Sequence, residues 1–255
     1  MLQNETTSKI THGNSEVPVR RSEHHSINQL PVEFLIERMV HKLRNQLSVI
    51  TTATGQLEDS VNEKLTDEDR YFFSAVQHGA EKLNEILTRM AVYGSSKADE
   101  MDQIDPVELM HEAIKQAKEN QIGKDDLITI ELQDPGDLPP ISCCPGQIMI
   151  LFEEILLNAI ESIAGAGTVS IAFRIQGEKL TVSIADTGEG ISPDIWDRVF
   201  LPFVTDKPGY TGLGLALASR MAELNRADLE MAPGSAAGMV VSVIFHLSPR
   251  YKSDS

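Results

Sequence analysis

The chain has 255 residues, 41% hydrophobic and 24% charged, which suits two modest folded domains and is too apolar for wholesale disorder. Its formal net charge of -16 repels phosphate at long range. That sets aside nucleic acid and anionic membranes as main partners, while a local phosphate site stays open.

Residues 1–29 are polar and aperiodic and read as a flexible tail, with His12, His24 and His25 solvated. No apolar core of a secretory leader is seen there, and no apolar run approaches the roughly 20 residues that span a bilayer. A cytoplasmic protein with no membrane partner is expected. Cys143 and Cys144 are adjacent, which suits neither a disulfide nor a zinc site, so two reduced thiols are expected.

Residues 30–95 carry two helical seams. Pro31 can open the first helix. Ile36, Val40, Leu43, Leu47, Ile50, Thr54 and Leu57 then alternate in fours and threes, the spacing of a bundle face. Asp59, Ser60 and Asn62 break the pattern, and Thr66 with Asp69 forms a capping-box start for a second helix. Its seam is Phe72, Val76, Gly79, Leu83, Ile86, Met90 and Tyr93. Such a hairpin cannot cover its own apolar faces, so a homodimer closing a four-helix bundle is expected; docking on its own second domain is the alternative. Gly94 to Asp99 reads as linker, with the connection taken over 96–104.

Residues 105–248 alternate helices and strands. Helices are predicted over 105–120, 146–164 and 212–225, and strands near 127–133, 168–176, 179–185, 228–232 and 238–247. One mixed sheet with helices packed against it fits this order. Residues 249–255 form a C-terminal tail.

Three segments of this second part carry candidate chemistry. Glu154 and Asn158 are four apart on one helix, so both project from one face and can hold Mg²⁺ against a triphosphate; the polar side of an amphipathic helix looks the same. The strand ending in Asp186 runs into Thr187-Gly188-Glu189-Gly190. Asp186 can accept from an exocyclic amine, with Gly188 and Gly190 letting backbone approach a base; a plain glycine-rich turn reads equally well. The stretch 192–211 resembles a lid, with Lys207 or Arg198 as candidate charge at a terminal phosphate. Thr211, Gly212, Leu213 and Gly214 then open a helix whose free N–H groups can bind phosphate.

In this order and spacing, the helix with Asn158, the strand with DTGEGI, PFVTDK and TGLGLALA resemble the boxes of the histidine kinase ATP-binding domain. That domain belongs to the wider gyrase, Hsp90, histidine kinase and MutL superfamily. The resemblance covers about 103–248. It implies an α/β sandwich in which Asn158 ligates Mg²⁺, Asp186 recognises adenine, Gly188 and Gly190 shape the base pocket, and Gly212 and Gly214 cradle phosphates.

The first helix, reading MVHKLRNQL over 39–47, is similar to the H box of sensor kinases. His41 follows seam residue Val40 and so points to solvent, where a neutral imidazole can attack a phosphate. The resemblance makes Asn45 a water-orienting residue for dephosphorylating a response regulator. Three departures stand out. Lys42 replaces the usual acid, leaving Glu37, one turn earlier, as substitute base. Gln46 replaces the usual proline. Glu154 stands where many kinases carry Asn, and an acid at this place activates water in the ATPase branches.

The expected protein is therefore a sensor histidine kinase transmitter core using ATP and Mg²⁺. It would phosphorylate His41 and pass the phosphoryl group to the receiver domain of a response regulator, with input from a separate sensor protein or the tail. A response-regulator phosphatase with weak kinase activity and an ATP-binding pseudokinase scaffold are the alternatives.

Overall fold

The computed structural model describes residues 9–12, 15–18, 20–21, 32–61, 65–95, 100–120, 127–207, 209–234 and 238–247. Pro31, Asn62, His24, His25 and the C-terminal tail lie outside them. The chain divides into two compact units, one made of residues 26–97 and the other of 1–25 with 98–255.

The smaller unit is a helical hairpin of α1 (Val32–Val61) and α2 (Asp67–Tyr93). The predicted helix break at Asp59 and Ser60 is displaced: α1 runs on to Val61, because neither residue forbids a helix and no proline or glycine follows. Thr66 caps α2 as expected. Its Oγ1 accepts the Asp69 N–H at 3.2 Å, and Asp69 Oδ2 accepts the Thr66 N–H at 2.9 Å. The Thr66 hydroxyl also donates to Asp69 Oδ2 at 2.6 Å, and this bond, with that from the Thr66 N–H, holds the Asp69 carboxyl below its usual range. Asp67, Glu68 and Asp69 add negative charge where the helix dipole favours it.

The hairpin's core is Val40 and Leu47 against Ala80 and Leu87, with Ile36, Met90 and Ala91 packed on it. The seam of α1 is thus divided. Ile36, Val40 and Leu47 turn inward, while Leu43, Ile50 and Leu57 stay exposed. The seam expected on α2 is corrected more strongly. Phe72, Val76 and Leu83 are exposed, and the inward positions lie one residue on, at Ala80 and Leu87. Ala80 is small enough to let the helices close, which a hydrophobicity count undervalues. Gly94 also proves to be part of the hairpin and not of a linker. It is buried, its N–H caps α2 on the Met90 carbonyl at 2.9 Å, and a Cβ there would lie 2.8 Å from Ile36 Cγ2.

The larger unit is an α/β sandwich. Among the described residues, its sheet has the order β3 (Arg20–Arg21), β9 (Asp228–Pro233), β10 (Met239–His246), β8 (Lys179–Asp186), β7 (Gly167–Gln176), β5 (Ile128–Leu132). All pairs are antiparallel except β5 with β7. Three helices, α3 (Pro106–Asn120), α4 (Pro145–Ser162) and α5 (Gly214–Leu224), form the other layer, with α4 in contact with both of the others and with β7 and β8. The central place of α4 explains why Ile148, Leu151, Phe152, Ile155, Leu156, Ala159 and Ile160 are all buried. Phe152 meets Phe245 of β10 edge to face, with ring centroids 6.4 Å apart. On β8 the alternation puts Leu180, Val182, Ile184 and Asp186 on the buried side, so Asp186 shares the face of the core.

Two domain boundaries move. Two strands, β4 (Asp102–Ile104) and β6 (Ile141–Cys143), pair antiparallel, so the end of the 96–104 linker is built into this unit. The stretch read as a flexible tail contains β1 (Lys9–His12) paired with β2 (Ser15–Pro18), and β3 lies on the edge of the main sheet with Arg21 opposite Glu230. A bare edge strand offers unpaired N–H and C=O groups, and the backbone of Arg20 and Arg21 meets those of β9 there.

Candidate functional site

One half of the candidate site forms where β8 ends. Asp186 is 8% exposed. Its Oδ1 accepts the Gly188 N–H at 2.8 Å and lies 2.9 Å from Ser162 Oγ at the end of α4. Gly188 is required here, because a Cβ would run into the Ser162 side chain. The turn is stitched on both sides: Glu189 donates to the Ser162 carbonyl at 3.2 Å and Thr187 to the Thr168 carbonyl at 3.2 Å. Gly190 takes φ +78 and faces Gly238, which itself sits at φ +70 directly over the Asp186 main chain. The placing of Gly238 over Asp186 depends on β10 pairing with β8.

The other half forms where α5 begins. Gly214, its first residue, faces α4: a Cβ would lie 2.8 Å from Asn158 Nδ2 and 3.0 Å from Glu154 Oε2. The structure therefore brings Glu154, Asn158 and Gly214 together. Glu154 is buried, at 8% exposed. Among the described residues, Asn158 Nδ2 is a buried donor with no hydrogen-bond partner. A stranded donor of this kind costs about 1–3 kcal/mol, which an anion in the cradle would recover. Gly212 has φ +64 and touches the backbone of Phe203 and Val204, accepting the Phe203 N–H at 2.8 Å. Leu213 is buried in the core, so only its backbone can serve a ligand. Thr211 is half-buried beside it.

Lys207 is half-buried, and its Nζ sits 5.6 Å from the centre of the Tyr210 ring. Burial, aided by Glu161, raises the Tyr210 hydroxyl above its ordinary range. Arg198, in the 3-10 turn Trp196–Arg198, donates to the Asp194 carbonyl at 3.4 Å. The base of the 192–211 stretch is tied by the Ser192 N–H to Asp206 Oδ2 at 3.1 Å.

A buried amide fixes the two helices that carry the cradle. Asn225, at the end of α5, accepts the Cys144 N–H at 2.7 Å and donates to Gln147 Oε1 at 2.9 Å and to the Met221 carbonyl at 2.8 Å. It was missed in sequence because Cys144 and Gln147 lie far away in the chain.

In the hairpin, Glu37, His41 and Asn45 repeat at intervals of four on α1, and all three are exposed. Val40, next to His41, is 3% exposed, so the turn that anchors the helix also sets the imidazole in solvent. Asn45 Nδ2 lies 3.5 Å from His41 Nδ1, a weak contact. With the amide turned over, Asn45 accepts from Nδ1–H and leaves the lone pair on Nε2. Lys42 is exposed, and Arg44 donates to Thr88 Oγ1 of α2 at 3.2 Å.

Residues 145–249 match the family of histidine kinase-, DNA gyrase B- and HSP90-like ATPases. The chain is 25% identical over 209 residues to Sporulation kinase D of Bacillus subtilis, covering 81% of this chain and 40% of that protein. It is 29% identical over 215 residues to the sensory histidine kinase/phosphatase NtrB of Rhodobacter capsulatus, covering 78% of this chain and 59% of the relative. This chain thus spans less than two thirds of either. Among solved structures, full-length ShkA in complex with AMPPNP superposes with a TM-score of 0.67 at 23% identity, over 85% of this chain and 46% of that one. No helix among the described residues is long and apolar enough to cross a membrane. Residues 145–249 thus carry the ATPase domain of that family, and a helical hairpin followed by such a sandwich makes the chain as a whole similar to the transmitter cores of sensor histidine kinases.

Proposed function

We propose that the chain is an ATP-dependent protein-histidine kinase. It phosphorylates its own His41 and passes the group to an aspartate on a response regulator. A ring nitrogen of His41 forms the new N–P bond as the bond from the γ-phosphorus to its bridging oxygen breaks, releasing ADP. The regulator's carboxylate oxygen then takes the phosphoryl group and His41 recovers its lone pair. The observation that carries this reading is the exposure of His41 one residue from buried Val40.

The residues of the larger unit fit a nucleotide. Asn158 and the backbone N–H groups opening α5 suit phosphate oxygens, and Asp186 suits an adenine amine. Among the described residues, no group of three or more His, Cys, Asp or Glu forms a metal site by itself. Mg²⁺ would accordingly be held by Asn158 and Glu154 together with phosphate oxygens, and when bound it neutralises phosphate charge. Lys207 and Thr211 would close over the phosphates, and Leu213 would lend backbone only. With Lys42 in place of an acid, Glu37 is the base, one turn from His41 on the same exposed face. We place the protein in the cytoplasm as a homodimer closed through the exposed faces of the hairpins.

A second reading is favoured by one observation, the contact of Asn45 with His41. An amide at that point can hold water for dephosphorylating a regulator, which would make the chain mainly a phosphatase. Incubation with γ-labelled ATP and Mg²⁺ separates the two. The kinase predicts acid-labile label on wild type and none on His41→Ala. Unlabelled protein that still speeds loss of phosphate from a phosphorylated regulator, and loses this in Asn45→Ala, would replace the kinase by the phosphatase.

A further inference from the structure

We propose that Ser162 is the positioning residue that aims the Asp186 carboxylate at a 6-amino purine. The inference rests on the reading of Asp186 as the base-recognising group. Ser162 closes α4, the helix that also carries Glu154 and Asn158 on the phosphate side. Its hydroxyl has one proton and two acceptors in reach, the Ala159 carbonyl at 2.7 Å and Asp186 Oδ1 at 2.9 Å. A bond to an ionised carboxylate is about twice as strong as one to a neutral carbonyl, so the proton goes to Asp186.

The result is an asymmetric carboxylate. Both of its hydrogen bonds, from the Gly188 N–H and from Ser162, fall on Oδ1. Oδ2 is left as the acceptor turned to a ligand, and an acceptor there selects an amine donor. The last torsion of an aspartate side chain is broad and nearly two-fold, so a single donor restrains it weakly. The Gly188 N–H belongs to the same short turn as Asp186, whereas Ser162 comes from a packed helix and supplies the fixed reference. Gly188 also lacks the side chain that would push Ser162 off this bond. Ser162 thus links the orientation of the base pocket to the helix that builds the phosphate cradle.

Binding of ADP and of purine riboside diphosphate, which differs by the missing 6-amino group, tests this on the full chain. Neither ligand can donate a γ-phosphate, so no turnover confuses the measurement. Wild type is expected to favour ADP by about tenfold, the range of a hydrogen bond to a charged group. Asp186→Ala should remove the preference. Ser162→Ala should cut it to roughly threefold or less, through weaker ADP binding, with purine riboside diphosphate binding and the thermal midpoint of the free chain nearly unchanged. Equal weakening of both ligands in Ser162→Ala would mark a purely structural role, and an undiminished preference would mark no role; either overturns the proposal while leaving Asp186 as the base reader. A wild type with no preference, or one that Asp186→Ala keeps, would instead overturn the reading of Asp186 itself.

Discussion

The two units of this chain are built on opposite economies of burial. The ATP-binding sandwich encloses its apolar side chains on its own: α4 alone buries Ile148, Leu151, Phe152, Ile155 and Leu156. The hairpin runs through α1 and α2 but rests on Val40, Leu47, Ala80 and Leu87, while Val49, Ile50, Leu57, Tyr71, Phe72 and Val76 face solvent. Toward its tip the cross-link is polar, with Gln77 donating to Glu58 at 2.8 Å. A sandwich of this kind is a finished fold. The hairpin leaves an apolar face open, which the homodimer proposed above would cover.

The comparison can be broken at several strengths. Phe152→Ala should cost the sandwich about 3–5 kcal/mol through the cavity it leaves, and calorimetry should show one transition falling while the helical hairpin keeps its own. Replacing Leu57 and Phe72 together by lysine should weaken the hairpin's self-association by about 3 kcal/mol or more. Its melting should depend on protein concentration in wild type, and that dependence should fade in the variant, as followed by far-UV circular dichroism and sedimentation. A hairpin transition independent of concentration would refute the half-built reading.

The next expected effect belongs to the sandwich. Burial pushes the Cys143 thiol up to about 11 from 9.0, with Cys144 and Asp102 adding to it. A raised folded-state value means the contribution is whole below pH 9 and is lost as pH climbs toward 11. Up to roughly 2 kcal/mol should disappear over that window, and Cys143→Ala should flatten the profile in urea titrations. The smallest effect is at the hairpin's turn, where Thr66→Ala should cost about 1 kcal/mol by removing the cap of α2. Asp69 works in the opposite sense to Cys143. Its folded-state value is lowered, so its contribution is present above the ordinary value of 3.8 and fades as acid carries the pH below it. Acid melts of wild type and Thr66→Ala should draw closer there, the remaining gap being the Asp69 N–H bond to Thr66 Oγ1.

Local signals were legible in the sequence, and signals that depend on distant pairing were not. The helices and long strands of the sandwich announce themselves by period and turn residues, and Glu154, Asn158, Asp186 and Gly214 sit where their motifs put them. The α2 seam was misplaced by one residue because Phe72 and Val76 outweigh Ala80 in hydrophobicity, though Ala80 packs better between close helices. Strands β3, β4 and β6 are two or three residues long, too short for alternation to register. Ser162 and Asn225 look like ordinary helix-end polar residues until α4, α5 and β8 are assembled around them.

The lone parallel pair among the described strands, β5 on β7, has a consequence for the order of assembly. β7, β8, β10 and β9 pair with one another antiparallel, and β7 and β8 turn over only Gly177 and Glu178. β5 reaches β7 only after the chain has travelled out through β6 and back along α4. Long-range pairings of this type close late. Truncations at Ile130 should accordingly change the unfolding rate far more than the folding rate, while those at Val182 should slow folding; the reverse pattern would place β5 in the nucleus. The crossover that sets Asn158 beside Gly214 would then be among the last parts of the molecule to lock.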